Sequence, residues 1–142
     1  MKVRKAQLQD SEQIQKIVQV FGLVFKDQVI NDIPYTALLE KNNEIIGVLI
    51  TNRKRNTIRD LVIKKQHQRK GYGKKLFEKG VVLLNIKLDN MTLKATADPK
   101  KSDSVDFWKS VGFKEGPVYY TKHGNRMMEM LYRKSPSLEK WI

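Results

Sequence analysis

The sequence predicts a mixed α/β domain: a mostly antiparallel sheet with one central β-α-β step and helices on its flanks. Three observations carry this. Strand-like and helix-like patterns follow one another in the order β-α-(α)-β-β-β-α-β-α-β-β. Two short polar turns, Asn42-Asn43 and Arg53-Lys54-Arg55-Asn56, join three strand patterns into a meander. The third of those strands leads through a glycine pair into an amphipathic helix.

The first strand is the run 3–6, Val-Arg-Lys-Ala. Asp10 stands where a helix N-cap belongs, with Gln13 three positions on in a capping-box arrangement. Ile14, Ile17, Val18 and Phe21 then recur at helical spacing, so 11–21 is expected to be an amphipathic helix ended by Gly22. Residues 23–33 suit a short second helix closing near Asp32-Ile33-Pro34. Strands are expected at 35–41, 44–52 and 57–65, the first two forming a hairpin. The apolar run Leu61, Val62, Ile63 suggests that the third strand is buried on both faces.

The next helix places Leu76, Phe77, Gly80, Val81, Leu83, Leu84 and Leu88 on one face, with Lys75, Glu78, Lys79 and Asn85 largely opposite. A strand at 91–97 stops at Asp98-Pro99. Asp103 with Asp106 opens a short helix carrying Val105, Trp108 and Val111, and Gly112 ends it. Two last strands flank the turn His123-Gly124-Asn125, and residues 135–142 form a tail packed loosely by Trp141. With 142 residues, 40% of them hydrophobic, the chain suits one domain spanning 1–142 with a real core.

The chain has no cysteine, which excludes disulfides and cysteine-based metal sites and fits a cytoplasmic location. No secretory h-region opens it and no apolar run reaches the ~18 residues that would span a membrane, so no membrane partner is expected. Two separated histidines, His67 and His123, without carboxylates at ligand spacing give no case for a metal. The net charge is +13, and it is uneven: residues 51–75 hold ten Lys and Arg against one acid, Asp60. Such a cluster points to an anionic partner.

The glycine turn is Gln68-Arg69-Lys70-Gly71-Tyr72-Gly73-Lys74. A P-loop is excluded because Lys75 follows Lys74 where a hydroxyl residue is needed. A dinucleotide fingerprint is excluded because the third glycine is missing. An anion-binding turn fits. Glycines let the backbone approach a phosphate, the helix N-terminus supplies N–H groups and partial positive charge, and Arg69, Lys70, Lys74 and Lys75 add attraction. The expected ligand is a pyrophosphate.

These residues resemble the [RQ]-x-x-G-x-[GA] signature of the GNAT superfamily, the acyl-CoA-dependent N-acetyltransferases. A second element, Ser104 through Phe107, Trp108 and Gly112-Phe113, resembles that family's A-x-x-F-Y-x-x-x-G-F box, and the order of elements is similar over about residues 3–133. The resemblance implies a GNAT-like sheet whose central β-α-β step is splayed. The pantetheine of acetyl-CoA would lie against the backbone of Leu61, Val62 and Ile63, between the strands ending near Ile63 and Ala97. It implies that Gln68, Arg69, Lys70, Gly71, Tyr72, Gly73 and Lys74 grip the pyrophosphate. Ser104, Phe107 and Trp108 belong to the cofactor-side box, with Lys101 where an Asn is common and able to contact cofactor phosphates. The reaction implied is direct acetyl transfer to an amine, with acetyl-CoA as co-substrate and no metal.

Such transfer needs a base, an oxyanion donor and relief for the leaving thiolate. Asp60 is the candidate base, its alternative being an ion-pair partner of Arg59 or Arg55; Glu44 and Glu129 are weaker. The N–H of Ile63 is the candidate oxyanion donor. Trp108 occupies the place where the family commonly has an acidic Tyr, so it reads as packing or a pocket wall, and Tyr119 or Tyr120 becomes the candidate acid. The acceptor pocket would draw on 22–35 and 116–126. Its acceptor could be acidic or nucleic-acid-associated, and the enzyme a monomer or homodimer. Two other classes stay open: a basic nucleic-acid-binding module, and a non-catalytic acyl-CoA-binding member of the fold.

Overall fold

The computed structural model describes residues 1–52, 56–87, 91–96 and 103–132. Among them are seven strands and four α-helices: β1 (Lys2–Lys5), α1 (Ser11–Val18), α2 (Lys26–Asp32), β2 (Thr36–Lys41), β3 (Glu44–Asn52), β4 (Thr57–Ile63), α3 (Tyr72–Leu83), β5 (Met91–Thr96), α4 (Asp103–Ser110), β6 (Phe113–Tyr120) and β7 (Arg126–Tyr132). The chain is the mixed α/β, mostly antiparallel fold with flanking helices that the sequence predicts. It divides into two compact units, Met1–Ile86 and Lys87–Ile142. Among the described residues no helix is long and apolar enough to cross a membrane.

In the first unit the strands run β1-β2-β3-β4, every pair antiparallel. Asn42 and Asn43 both take positive φ, 52° and 64°, which is why this dipeptide closes the β2–β3 hairpin. β3 is the core strand: Ile45 through Thr51 are all buried. The α1–α2 face supplies Ile14, Ile17, Val18 and Val29, packed with Leu38, Ile45, Val48, Ile50 and Val62. On α3 the buried stripe is Leu76, Phe77, Gly80 and Val81, and α3 contacts β1 to β4. At about 25 cal/mol per Å², each such side chain contributes roughly 1.5–3 kcal/mol. Gly80 is needed for close approach: a Cβ there would lie 2.7 Å from Leu49 Cδ2 and 3.3 Å from Ala37 Cβ.

In the second unit β7 lies between β5 and β6, again antiparallel. α4 packs on β5 and β6. Met91, Leu93, Ala95, Val105, Trp108, Phe113 and Met130 form the buried set. Trp108 stands edge-on to Phe107 and Phe113, at 5.0 and 5.2 Å between ring centres, and Phe113 is edge-on to Tyr132 at 5.3 Å.

Several local expectations are corrected. Both-face burial belongs to β3; in the β4 run Leu61-Val62-Ile63 only Val62 is buried, and Leu61 and Ile63 are half-buried. Asp10 precedes α1 but its carboxylate does not cap that helix. Arg4 holds it with two bonds of 2.8 and 2.9 Å, and the Gln7 N–H donates to it at 2.8 Å. A charged fork outcompetes neutral amides for a carboxylate. α1 ends at Val18 and continues to Phe21 only as a 3-10 turn. β4 ends at Ile63, two residues short of the expected boundary, because Lys65–His67 wind into a 3-10 turn. Leu88, Ala97, Asp98, Pro99, the three basic residues 53–55 and the tail 135–142 lie outside the described residues.

Candidate functional site

The turn between β4 and α3 is built from the strand end outward. The Lys64 N–H donates to the Ile46 carbonyl at 2.8 Å, which pins the end of β4 to β3. The next three residues form the 3-10 turn, closed by His67 N–H to Lys64 O at 2.8 Å. Gln68 then reaches back, its Nε2 donating to the Ile63 carbonyl at 2.9 Å. Arg69 and Gly71 both adopt left-handed backbone, with φ of 63° and 80°. The chain therefore reverses tightly at Gly71, the N-cap of α3, and enters the helix at Tyr72.

No side chain caps α3. Its first-turn amides at Tyr72, Gly73 and Lys74 are the donors that a helix start leaves without an intrahelical partner. A Cβ at Gly71 would meet nothing within 4 Å, so the approach to these amides is open. Arg69, Lys70 and Lys74 are exposed around it, and Lys75 is half-buried. Lys74 lies 3.9 Å from Glu78, an exposed pair too long and too solvated to neutralise it. Tyr72 is anchored from outside the motif: Lys41 Nζ donates to its hydroxyl at 3.1 Å, and its ring stands 6.4 Å from that of His67. The Nδ1 of His67 is buried with no hydrogen-bond partner among the described residues.

A cleft of about 490 Å³ opens between this turn and α1. Ile17, Val20, Val62 and Ile63 give it an apolar lining. Lys16, Lys64 and Lys65 bring cations to it, with Gln68 at the turn. Nothing in the sequence reading singled out the α1 wall. Its signal was present, since Gln13, Lys16, Ile17 and Val20 share one helix face at spacings of three, four and seven, but that stripe mixes polar with apolar residues.

Asp60 lies on β4 opposite Ile50, beside a register shift that leaves Arg59 unpaired on the strand. Arg59 holds Asp60 at 3.1 Å and Asp32 of α2 at 2.6 Å. The carboxylate is thus an ion-pair partner of Arg59, the alternative role seen in the sequence. Glu44 is tied to Lys64 at 3.0 Å, and the hydrogen bond from Lys64 holds its carboxyl below the usual range.

In the second unit, Ser104 and Phe107 are half-buried on α4 and Trp108 is buried in the aromatic stack. Tyr119 is half-buried on β6, its hydroxyl pushed up by burial and by the nearby charge of Glu129. Tyr120 is 70% exposed. Lys101 lies outside the described residues.

The sequence profile of the family described as "Acetyltransferase (GNAT) domain" matches residues 7–134. No curated protein sequence matches the chain. Among solved structures, a ribosomal-protein-alanine N-acetyltransferase from Brucella melitensis is similar at 13% identity and a TM-score of 0.77, over 94% of this chain and 100% of that one. A candidate acetyltransferase from Salmonella typhimurium, solved with its cofactor acetyl-CoA, is similar at 18% identity and a TM-score of 0.76, over 96% and 98%. A point mutant of the Vibrio cholerae spermidine N-acetyltransferase is similar at 14% identity and a TM-score of 0.72, over 100% of both chains.

Proposed function

The chain belongs to the GNAT acetyltransferase domain family, and from that premise we propose that it transfers an acetyl group from acetyl-CoA to a primary amine by direct attack. The observation that carries the reading is the turn from Gln68 to Lys74: an open left-handed Gly71, an uncapped helix start and exposed cations around both. These features fit a diphosphate, which needs backbone donors, room and positive charge together. The acceptors named for the similar proteins differ, ribosomal-protein alanine in one and spermidine in another. The fold alone therefore does not choose the amine.

Under this reading the amides from Arg69 to Lys74 hold the pyrophosphate, and the backbone of Leu61, Val62 and Ile63 holds the pantetheine. Gln68 acts as a positioning residue, since its bond to the Ile63 carbonyl fixes the turn to the strand end. Acetyl-CoA, when bound, supplies an acetyl group activated as a thioester. The incoming ammonium must lose a proton before it can attack. Asp60, held by Arg59, supports that step through charge near the strand. Of the two tyrosines, Tyr119 is the proton donor candidate, because it is half-buried on β6 whereas Tyr120 is open to solvent.

The test is a thermal melt of wild type, Gly71→Asn and Gly71→Glu, each with and without acetyl-CoA, followed by thiol release with a panel of amines. Ligand at a hundred times its Kd adds about 2.7 kcal/mol to stability, a rise of several degrees. We expect that rise in wild type. Asn tolerates left-handed backbone and should keep much of it. Glu brings a carboxylate and a strained φ, and should abolish the rise relative to its own ligand-free melt. No rise in wild type, or an equal rise in Gly71→Glu, would remove the pyrophosphate site and with it the transferase reading.

A further inference from the structure

We infer that helix α1 and its 3-10 extension form the second wall of the acetyl-CoA site, with Gln13 hydrogen-bonded to the amides of the pantetheine arm and Ile17 and Val20 packed on its methyl groups. The inference rests on the transfer reading above and adds residues to that same site.

The first observation is that one cleft carries both walls. On one side stand Val62 and Ile63 of β4, with Lys64, Lys65 and Gln68 where the strand passes into the turn. On the other stand Gln13, Lys16 and Ile17 of α1, and Val20 of the 3-10 turn that continues it. The transfer reading gives Val62, Ile63 and Gln68 to acetyl-CoA. A ligand lying in a cleft of about 490 Å³ has most of its surface covered, so a ligand against the first side is touched by the second.

The second observation is what the α1 side offers. The Gln13 side chain is exposed and makes no hydrogen bond among the described residues. Gln15, by contrast, is used by the fold: its Nε2 donates to the Val24 carbonyl at 2.9 Å. Gln13 therefore keeps both donor and acceptor for a ligand, and the amides of pantetheine present N–H and C=O groups that need both. Val20 is 71% exposed, and a single exposed valine is ordinary. Here its surface continues that of Ile17, Val62 and Ile63, so both sides of the cleft are partly apolar. The methylenes and the dimethyl carbon of pantetheine match such a lining.

The third observation is the direction of polarity. Along the chain from Val62 to Gln68 the lining changes from apolar side chains to the cations Lys64 and Lys65. Acetyl-CoA changes in the same order, from a neutral arm to a diphosphate. Lys64, Lys65 and, across the cleft, Lys16 are then accounted for by the co-substrate, and the acceptor amine enters from elsewhere.

The chain has no cysteine, so one introduced thiol reports on one place. Val20→Cys tests the inferred wall. Val82→Cys is the control, at a 78% exposed position of α3 that does not line the cleft. Each full-length variant is labelled with a maleimide, alone, with acetyl-CoA, or with adenosine 3′,5′-bisphosphate, which has no pantetheine arm. At about a hundred times its Kd acetyl-CoA leaves only about 1% of clefts empty, so labelling of Val20→Cys should slow by about tenfold or more. Labelling of Val82→Cys should not change, and the bisphosphate should protect neither. In acetyl-CoA titrations Gln13→Ala should weaken binding about fivefold, the share of one hydrogen bond. Val20→Trp, which fills the cleft, should weaken it more. Both positions are exposed, so the ligand-free melts should match wild type. An unprotected Val20→Cys that still melts higher with acetyl-CoA would overturn this inference alone. So would equal protection by the bisphosphate, equal protection of Val82→Cys, or unchanged acetyl-CoA affinity in either Gln13→Ala or Val20→Trp. Absence of the melting rise in wild type would overturn the transfer reading and this one together.

Discussion

Asp10 shows how a residue can be rightly singled out and its role misread. Position and spacing mark it as a helix cap. They do not disclose that Arg4, six residues earlier on β1, arrives with a two-pronged guanidinium and a second carboxylate, Glu40, at 2.6 Å. Arg4 holds the Asp10 carboxyl below its ordinary value of 3.8, and the Gln7 amide adds to the effect. A depressed folded value means stability that is fully present above the unfolded pKa and lost as the pH falls through the folded one. We expect Asp10→Asn to destabilise the protein by about 1–3 kcal/mol at neutral pH. In denaturant titrations the gap from wild type should narrow progressively as the pH falls below about 4; a gap that did not narrow at all as the pH fell would mean the carboxylate's charge is not what matters. Trp108 is the converse case, a departure from a family pattern that the sequence could already read as packing. It is buried in the aromatic stack of Phe107 and Phe113. Trp108→Ala should cost about 3–5 kcal/mol by cavity formation. Trp108→Phe should recover most of the melting temperature with little change in kcat, whereas a collapse of kcat at full stability would make the indole part of the chemistry.

At the scale of elements, helices and hairpins were legible because their signals are local. Asn42-Asn43, Gly22 and Gly112 punctuate the chain where the backbone does take positive φ. The apolar stripe from Leu76 to Val81 is the buried face of α3. Which strand is covered on both faces was not legible, because that depends on where helices land. Leu61-Val62-Ile63 looks as apolar as β3, yet Ile45 to Thr51 of β3 are all buried while Leu61 and Ile63 stay half-buried, although α1 and α3 contact both strands. The turn after β4 was legible because its glycines and charges are contiguous, whereas the α1 wall of the cleft and the Lys41 bond to Tyr72 are long-range and leave no local trace. Gly80 is the element-scale test. Mid-helix glycine costs about 1 kcal/mol relative to alanine, so its presence needs the close approach of α3 to Leu49 and Ala37. Leu49 and Ala37 are fully buried and have little room to give. Gly80→Val should therefore destabilise by roughly 1–3 kcal/mol through overpacking. Melts of Gly80→Val and of Val82→Ala, one turn face away and 78% exposed, separate this from a general helix effect: only the first should fall markedly.

For the whole molecule the question is what a net charge of +13 is for. The competing use is nucleic acid, and electrostatics separates the two. If the cations around Gly71 serve a diphosphate, they raise its capture rate and affinity in a way that salt screens, since the Debye length falls from about 10 Å at 0.1 M to about 3 Å at 1 M. The amide contacts of the turn are short-range and persist. Raising ionic strength should therefore raise KM for acetyl-CoA several-fold and leave kcat within a factor of two. Binding to duplex DNA at physiological salt should be no tighter than the ordinary non-specific range of about 10⁻⁴–10⁻⁶ M. It should weaken further when acetyl-CoA is present, because Arg69, Lys70 and Lys74 cannot neutralise both polyanions at once. Fluorescence anisotropy with labelled DNA, titrated with salt and then with acetyl-CoA, reads both. Tight DNA binding indifferent to acetyl-CoA would assign the basic excess to a separate surface, and the charge around Gly71 would then be a poor guide to its ligand.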